Sequence, residues 1–177
     1  MDPMRSSDLR VLVDYHYWAT RQVLVAAAGL TDDEFRKASG GTTRDLRATL
    51  VHALDVEWSW RLRLRGDPRE AWSTDLSIDD FPSVKELAEH WEQDGAEMRA
   101  WIDGLSDERL AAAGDVEGEI GPPLWYFVMH ILTHGTQQRS DAAILLTRAG
   151  HSPGDLEFLN YADTLGFRRR GADGSSS

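Results

Sequence analysis

The chain has 177 residues, 41% hydrophobic with seven Trp, enough for one domain with a core of its own and too apolar for a disordered segment. Its formal net charge of -11 argues against a nucleic-acid partner, because phosphate binding needs a basic surface. The absence of cysteine excludes disulfides, thiolate metal sites and a cysteine nucleophile, though not a thiol co-substrate.

The N-terminus, with Asp2, Arg5 and Asp8, has no apolar stretch of a signal peptide, and no window is apolar for the ~18 residues of a membrane span. A cytoplasmic protein without a membrane partner is expected. Leu9, Leu12, Val13, Tyr17, Val23 and Leu24 recur at spacings of three and four, predicting a first helix from about Ser7 to Ala28. Gly29 is expected to end it as a left-handed cap. Thr31-Asp32-Asp33-Glu34 reads as a capping box opening a short helical turn. After Gly40-Gly41, Thr42 or Thr43 is expected to cap a second helix to Arg65, with Asp45 favourable at its positive end. Its apolar stripe is Leu46, Leu50, Ala53, Trp60 and Leu64; Glu57 falls inside the stripe and His52 at its margin.

Gly66-Asp67-Pro68 stops this helix. The connection from Asp67 to Pro82 is long, and Trp72, Leu76, Ile78 and Phe81 predict that it packs down as a lid or a site wall. Ser83-Val84-Lys85-Glu86 reads as another capping box before a third helix to Gly104, burying Leu87, Trp91, Met98 and Ile102. A short segment starts at Ser106. Residues Gly114 to Gly121 are polar and turn-rich, and no stretch predicts a strand. Pro122-Pro123 open a fourth long helix ending near Arg148, and Asp155 to Leu165 predict one more short helix. The expected fold is all-α: a four-helix bundle with short extra helices and a long packed connection between the second and third long helices, in one domain over residues 1–166. Arg168, Arg169, Arg170 and the tail to Ser177 are expected to be a solvated terminus.

The fourth helix carries the candidate chemistry. On a helical wheel Gln138 lies about 40° from the apolar centre, His134 about 80° and His130 about 120°. One small cation can take ligands ~6 Å apart along a helix axis but hardly ~12 Å apart, which leaves His130 with His134, or His134 with Gln138. Chance pairs of this spacing are common on amphipathic helices. His52 could complete a three-ligand site with open positions for water or substrate. His16 reads as a packed histidine, and His90 and His151 as surface residues. Glu57, a carboxylate on a core stripe, needs a partner; Arg139 on the inner side of the fourth helix is a candidate, the alternative being that both reach out to water.

Tyr17-Trp18-Ala19, the run Thr43 to His52 leading into Glu57-Trp58, Trp125 through His134-Gly135-Thr136, Gln138-Arg139-Ser140-Asp141, and Gly150-His151-Ser152-Pro153-Gly154-Asp155-Leu156 together resemble the DinB/YfiT-like family, over about residues 8 to 162. The resemblance implies a four-helix bundle, often a homodimer, with Zn or Ni held by three histidines. His52 and His134 match two of them; the third falls on Gln138, which departs from the pattern, and His130 matches an accompanying histidine one turn earlier. It also implies thiol S-transferases and isomerases that use mycothiol or bacillithiol, acting on a small-molecule substrate. The family's name refers to DNA damage, but the charge argues against DNA contact. Gln138 leaves three readings open: a metal-dependent thiol transferase; a metal-free enzyme of secondary metabolism or detoxification, with His52 and His134 as acid and base in an apolar pocket; or a non-catalytic stress-response protein with a degenerate site.

Overall fold

In the computed structural model, residues 4–38, 40–116 and 118–167 are described. The expected solvated terminus, including Arg168 to Arg170, lies almost wholly outside them. Four long helices make the framework: α1 (Ser6–Ala27), α3 (Leu46–Arg65), α4 (Val84–Asp103) and α6 (Leu124–Arg148). Shorter helices α2 (Asp32–Lys37), α5 (Asp107–Ala111) and α7 (Phe158–Thr164) fill the connections. Helix α1 packs on α4 and α6, and α3 packs on α6 and α4, so the four long helices close a ring around one core. Leu50, Leu54, Leu87, Val128 and Leu146 are buried within it. Truncating such a leucine to alanine typically costs about 2–5 kcal/mol.

The helix ends follow from local chemistry, with three corrections to the sequence reading. Thr31 and Glu34 form the expected reciprocal capping box on α2. On α3 the cap is Asp45, not a threonine: its Oδ1 accepts from Ala48 N at 2.7 Å. A carboxylate here gains from the helix dipole as well as from the hydrogen bond, which a threonine hydroxyl would not. Gly66 then ends α3 in the left-handed conformation, φ 84°. Gly29, in contrast, has no positive φ. It serves close approach instead, because a Cβ there would lie 2.5 Å from His151 Nδ1. At Ser83 the hydroxyl accepts from Lys85 N at 3.1 Å, so the cap forms without the full reciprocal box.

A further correction concerns the turn-rich stretch before α6. It is an antiparallel hairpin of β1 (Ala113–Val116) and β2 (Glu119–Pro123), in which Val116 pairs with Glu119 and Asp115 with Ile120. Gly118 takes φ 82° in the turn, and its N–H donates to Asp115 Oδ1 at 2.8 Å. Phe127 packs over the hairpin: a Cβ at Gly114 would meet its ring at 2.5 Å and one at Gly121 at 2.9 Å. The two prolines end β2 and lead directly into α6.

The connection from Asp67 to Pro82 packs down as expected. It makes two short 3-10 turns, Arg69–Ala71 and Ile78–Asp80, and buries Trp72 and Phe81. Leu76 N–H donates to Asp55 Oδ1 on α3 at 2.8 Å, which fastens its middle to the bundle. No helix of the described residues is long and apolar enough to cross a membrane.

Candidate functional site

Helices α3 and α6 face each other along their length, and their facing residues bring the candidate histidines together. The rings of His52 and His134 are 5.1 Å apart between centroids, edge to face. His130, one turn before His134, has its ring 6.2 Å from that of His134 and 5.2 Å from Trp60 of α3. Trp60 also stacks on Phe127 at 5.8 Å. The wheel expectation holds for burial: Gln138 is 6% exposed, His134 half-buried and His130 exposed.

Both paired imidazoles are biased toward the neutral form. Burial, then the neighbouring His52, His130 and Arg44, push the His134 pKa down to about 4. Burial and Arg44 lower His52, against the opposing pull of Asp55 and Asp75. Neutral imidazole is the ligand form, so neither ring must lose a proton near neutral pH to bind a cation. Gln138 adds a second signal: its Oε1 is buried without a hydrogen-bond partner. A buried acceptor left unpaired costs about 1–3 kcal/mol and calls for an explanation.

Among the described residues no group of three or more His, Cys, Asp or Glu side chains could hold a metal ion. The remaining candidate donors at the α3/α6 edge are the two facing imidazoles and, one helical turn beyond His134, the amide oxygen of Gln138. Imidazole suits Zn and Ni; an amide oxygen is a weak third donor. The long connection packs beside His52 but not beside His134. His52 lines a cavity of about 170 Å3 with Asp55 of α3 and Asp75, Leu76 and Ile78 of the connection.

The other polar cluster lies inside the core. Glu57 is 2% exposed and Arg139 4%, so neither reaches water. They are joined through His16, packed as expected: its Nε2–H donates to Glu57 Oε2 at 3.0 Å, and its Nδ1 accepts from Arg139 at 2.9 Å. Trp91 Nε1–H donates to Glu57 Oε2 at 3.2 Å, and the Tyr17 hydroxyl donates to Oε1. Burial alone would raise the Glu57 pKa, but these donors outweigh it and hold the carboxylate below its ordinary range. Burial lowers His16 and raises Tyr17. Two helical glycines make room: a Cβ at Gly135 would lie 2.4 Å from His16 Cε1, and one at Gly95 2.8 Å from the Tyr17 ring.

A second buried pair escaped the sequence reading. Arg61 of α3, 2% exposed, donates to Asp94 of α4 and pairs with Glu97 at 2.8 Å. The signal was available, since Arg61 follows Glu57 by one helical turn and so falls on the same inner face. Of the histidines assigned to the surface, His90 is half-buried with its ring 5.4 Å from Phe81, and His151 is half-buried against Gly29.

The DinB family model matches residues 4–170. The chain belongs to the DinB family. Among solved structures it is similar to a DinB-like protein from Bacillus cereus ATCC 10987, with a TM-score of 0.60 at 19% identity over 81% of this chain and 94% of that one. At that identity the likeness speaks for the fold alone. No curated protein matches the chain in sequence. The DinB bundle thus carries, at the α3/α6 edge, a histidine pair and, one turn further along α6, a buried amide oxygen without a hydrogen-bond partner.

Proposed function

We propose that this DinB-family protein is a divalent-metal-dependent enzyme of low-molecular-weight thiols, an S-transferase or isomerase, with Zn or Ni held by His52, His134 and Gln138 Oε1. The observation that carries the reading is the neutral imidazole pair, 5.1 Å between ring centroids, beside a buried amide oxygen with no partner. When bound, the metal would lower the pKa of a thiol so that it reacts as thiolate. The chain's own residues do the rest. Asp75, Leu76 and Ile78 line a cavity against His52. Asp55, fixed by the Leu76 N–H, keeps a negative charge behind His52 and favours its bond to a cation. His130, exposed and set edge-on to Trp60, stands at the rim, where a ring nitrogen can take up the proton that the thiol sulfur releases.

The metal-free alternative expects a sizeable apolar pocket around His52 and His134. The cavity that His52 lines, about 170 Å3, is small against the ~300–1,000 Å3 of organic-ligand sites. A larger groove, about 710 Å3, lies between α1 and α4, away from these histidines.

The test is metal content of protein purified without a metal-binding tag, wild type beside His52→Ala and Gln138→Leu. Near-stoichiometric Zn or Ni is expected in the wild type and little in either variant, with thiol transfer to an electrophile lost in parallel. A wild type that takes up neither ion after addition overturns the proposal. Metal retained in full by Gln138→Leu removes position 138 from the ligand set.

A further inference from the structure

Beyond the C-terminal end of α3 lies a cavity of about 520 Å3 that the histidine site does not use. Arg63, Arg65, Arg69 and Arg109 line it, together with Asp67 and Asp115. Arg65 is already paired with Asp67 and lies 3.8 Å from Glu97, so the guanidinium groups the cavity offers a ligand are those of Arg63 and Arg109. The carboxylates are already engaged. Asp67 takes two hydrogen bonds from Arg65, at 2.5 and 2.9 Å, and Asp115 Oδ1 accepts from Gly118 N–H.

Arg63 and Arg109 make no ion pair among the described residues, and both face this cavity. The Arg63 guanidinium lies 4.4 Å over the Trp72 ring and 5.3 Å from that of Trp60, and its Nε is buried with no hydrogen-bond partner. Stacking uses the faces of a guanidinium and leaves its N–H edge for an acceptor lying in its plane, the geometry that suits carboxylate and phosphate. Arg109 makes only a 3.4 Å bond to Ala113 O.

The cavity is also aligned with the histidine pair. Arg63 follows His52 by eleven residues, three turns of α3, which places them about 20° apart around the axis and about 16 Å apart along it. Trp60 bridges the interval, touching His130 on one side and the Arg63 guanidinium on the other.

We propose that this cavity binds the carboxylate or phosphate group of a small organic anion, through Arg63 and Arg109, and so holds the far end of the substrate whose reacting end lies at His52 and His134. The second half rests on the metal-thiol reading; the anion site itself does not.

The experiment is isothermal titration calorimetry of the metal-free full chain with succinate and, separately, inorganic phosphate, at an ionic strength fixed by chloride. Wild type is compared with Arg63→Gln and Arg109→Gln. Saturable binding of at least one probe is expected in the wild type, weakened tenfold or more in each variant; the tighter probe tells a carboxylate from a phosphate ligand. Only dilution heats with both probes, or unchanged affinity in Arg109→Gln, overturn the proposal. Arg109 is on the exposed side of a short helix whose cap uses the Arg109 backbone N–H, so its replacement keeps the test clear of a folding defect that unstacking Trp60 and Trp72 in Arg63→Gln could cause. Anion binding by a wild type that takes up neither Zn nor Ni when these are added would sink the metal reading alone. Metal retention without anion binding would sink this proposal alone.

Discussion

Two of the polar groups that interrupt the apolar interior of this bundle are built in opposite ways. Around Glu57 the donors and acceptors close on one another: His16, Tyr17 and Trp91 all donate to one carboxylate, and Arg139 secures the far nitrogen of His16. At the α3/α6 edge His52 and His134 face each other as neutral rings, and Gln138 Oε1 has no partner. The first group is complete within the chain and holds α1, α3, α4 and α6 in one arrangement. The second leaves a buried acceptor open, which is what the proposed ligand would fill.

The comparison breaks or sharpens under mutation. Glu57→Ala leaves three buried donors without their acceptor and should lower stability by about 3–5 kcal/mol in urea unfolding, the usual cost of halving a buried polar pair. His134→Ala in the metal-free protein should stay within about 1 kcal/mol of wild type. Equal losses for the two would abolish the distinction between core network and binding edge. Next in size is Gly135→Ala. Helix propensity favours alanine by about 1 kcal/mol, but the new methyl would overlap a buried His16 ring, and overpacking of this kind costs about 1–3 kcal/mol or more. A net loss of roughly 1–2 kcal/mol is expected from thermal or urea unfolding; a gain would mean that His16 is free to move.

The smallest effect is one of pH. With its folded pKa down at about 4 and an ordinary value of 6.5, His134 takes up its proton more readily in the unfolded chain. Its contribution to stability is then complete above about pH 6.5 and is lost as pH falls toward 4. Half-exposure to solvent keeps the effect modest. The slope of metal-free stability over that window should flatten in His134→Asn; an unchanged slope would place the titrating group elsewhere.

The four long helices were legible because each repeats its apolar residues at helical spacing, and a stripe such as Leu87, Trp91, Met98 and Ile102 admits one packing face. The hairpin was not. Its strands have four and five residues, rich in Gly and Pro, without apolar alternation, and what holds them is Phe127 arriving from α6. The histidine pair was legible as inward spacing on α6 and a stripe margin on α3. Glu57 was legible as a residue in need of a partner, but the partner was not, because His16 reaches it from α1 and no periodicity fixes how α1 is rotated against α3. Arg63 and Arg109 come together only through the path of the connection and the hairpin, which short-range pattern does not encode.

Gly135 lies between His134 and Thr136, and its missing side chain is where His16 is seated. Every turn of α6 about its own axis would drive backbone or Arg139 into that ring, so the direction in which His134 projects is fixed before any ligand is present. On the proposed reading, capture of a metal ion at the α3/α6 edge would then require little conformational search. Its association rate should follow collision and charge rather than opening of the bundle, and its residence time should depend on the donor atoms alone.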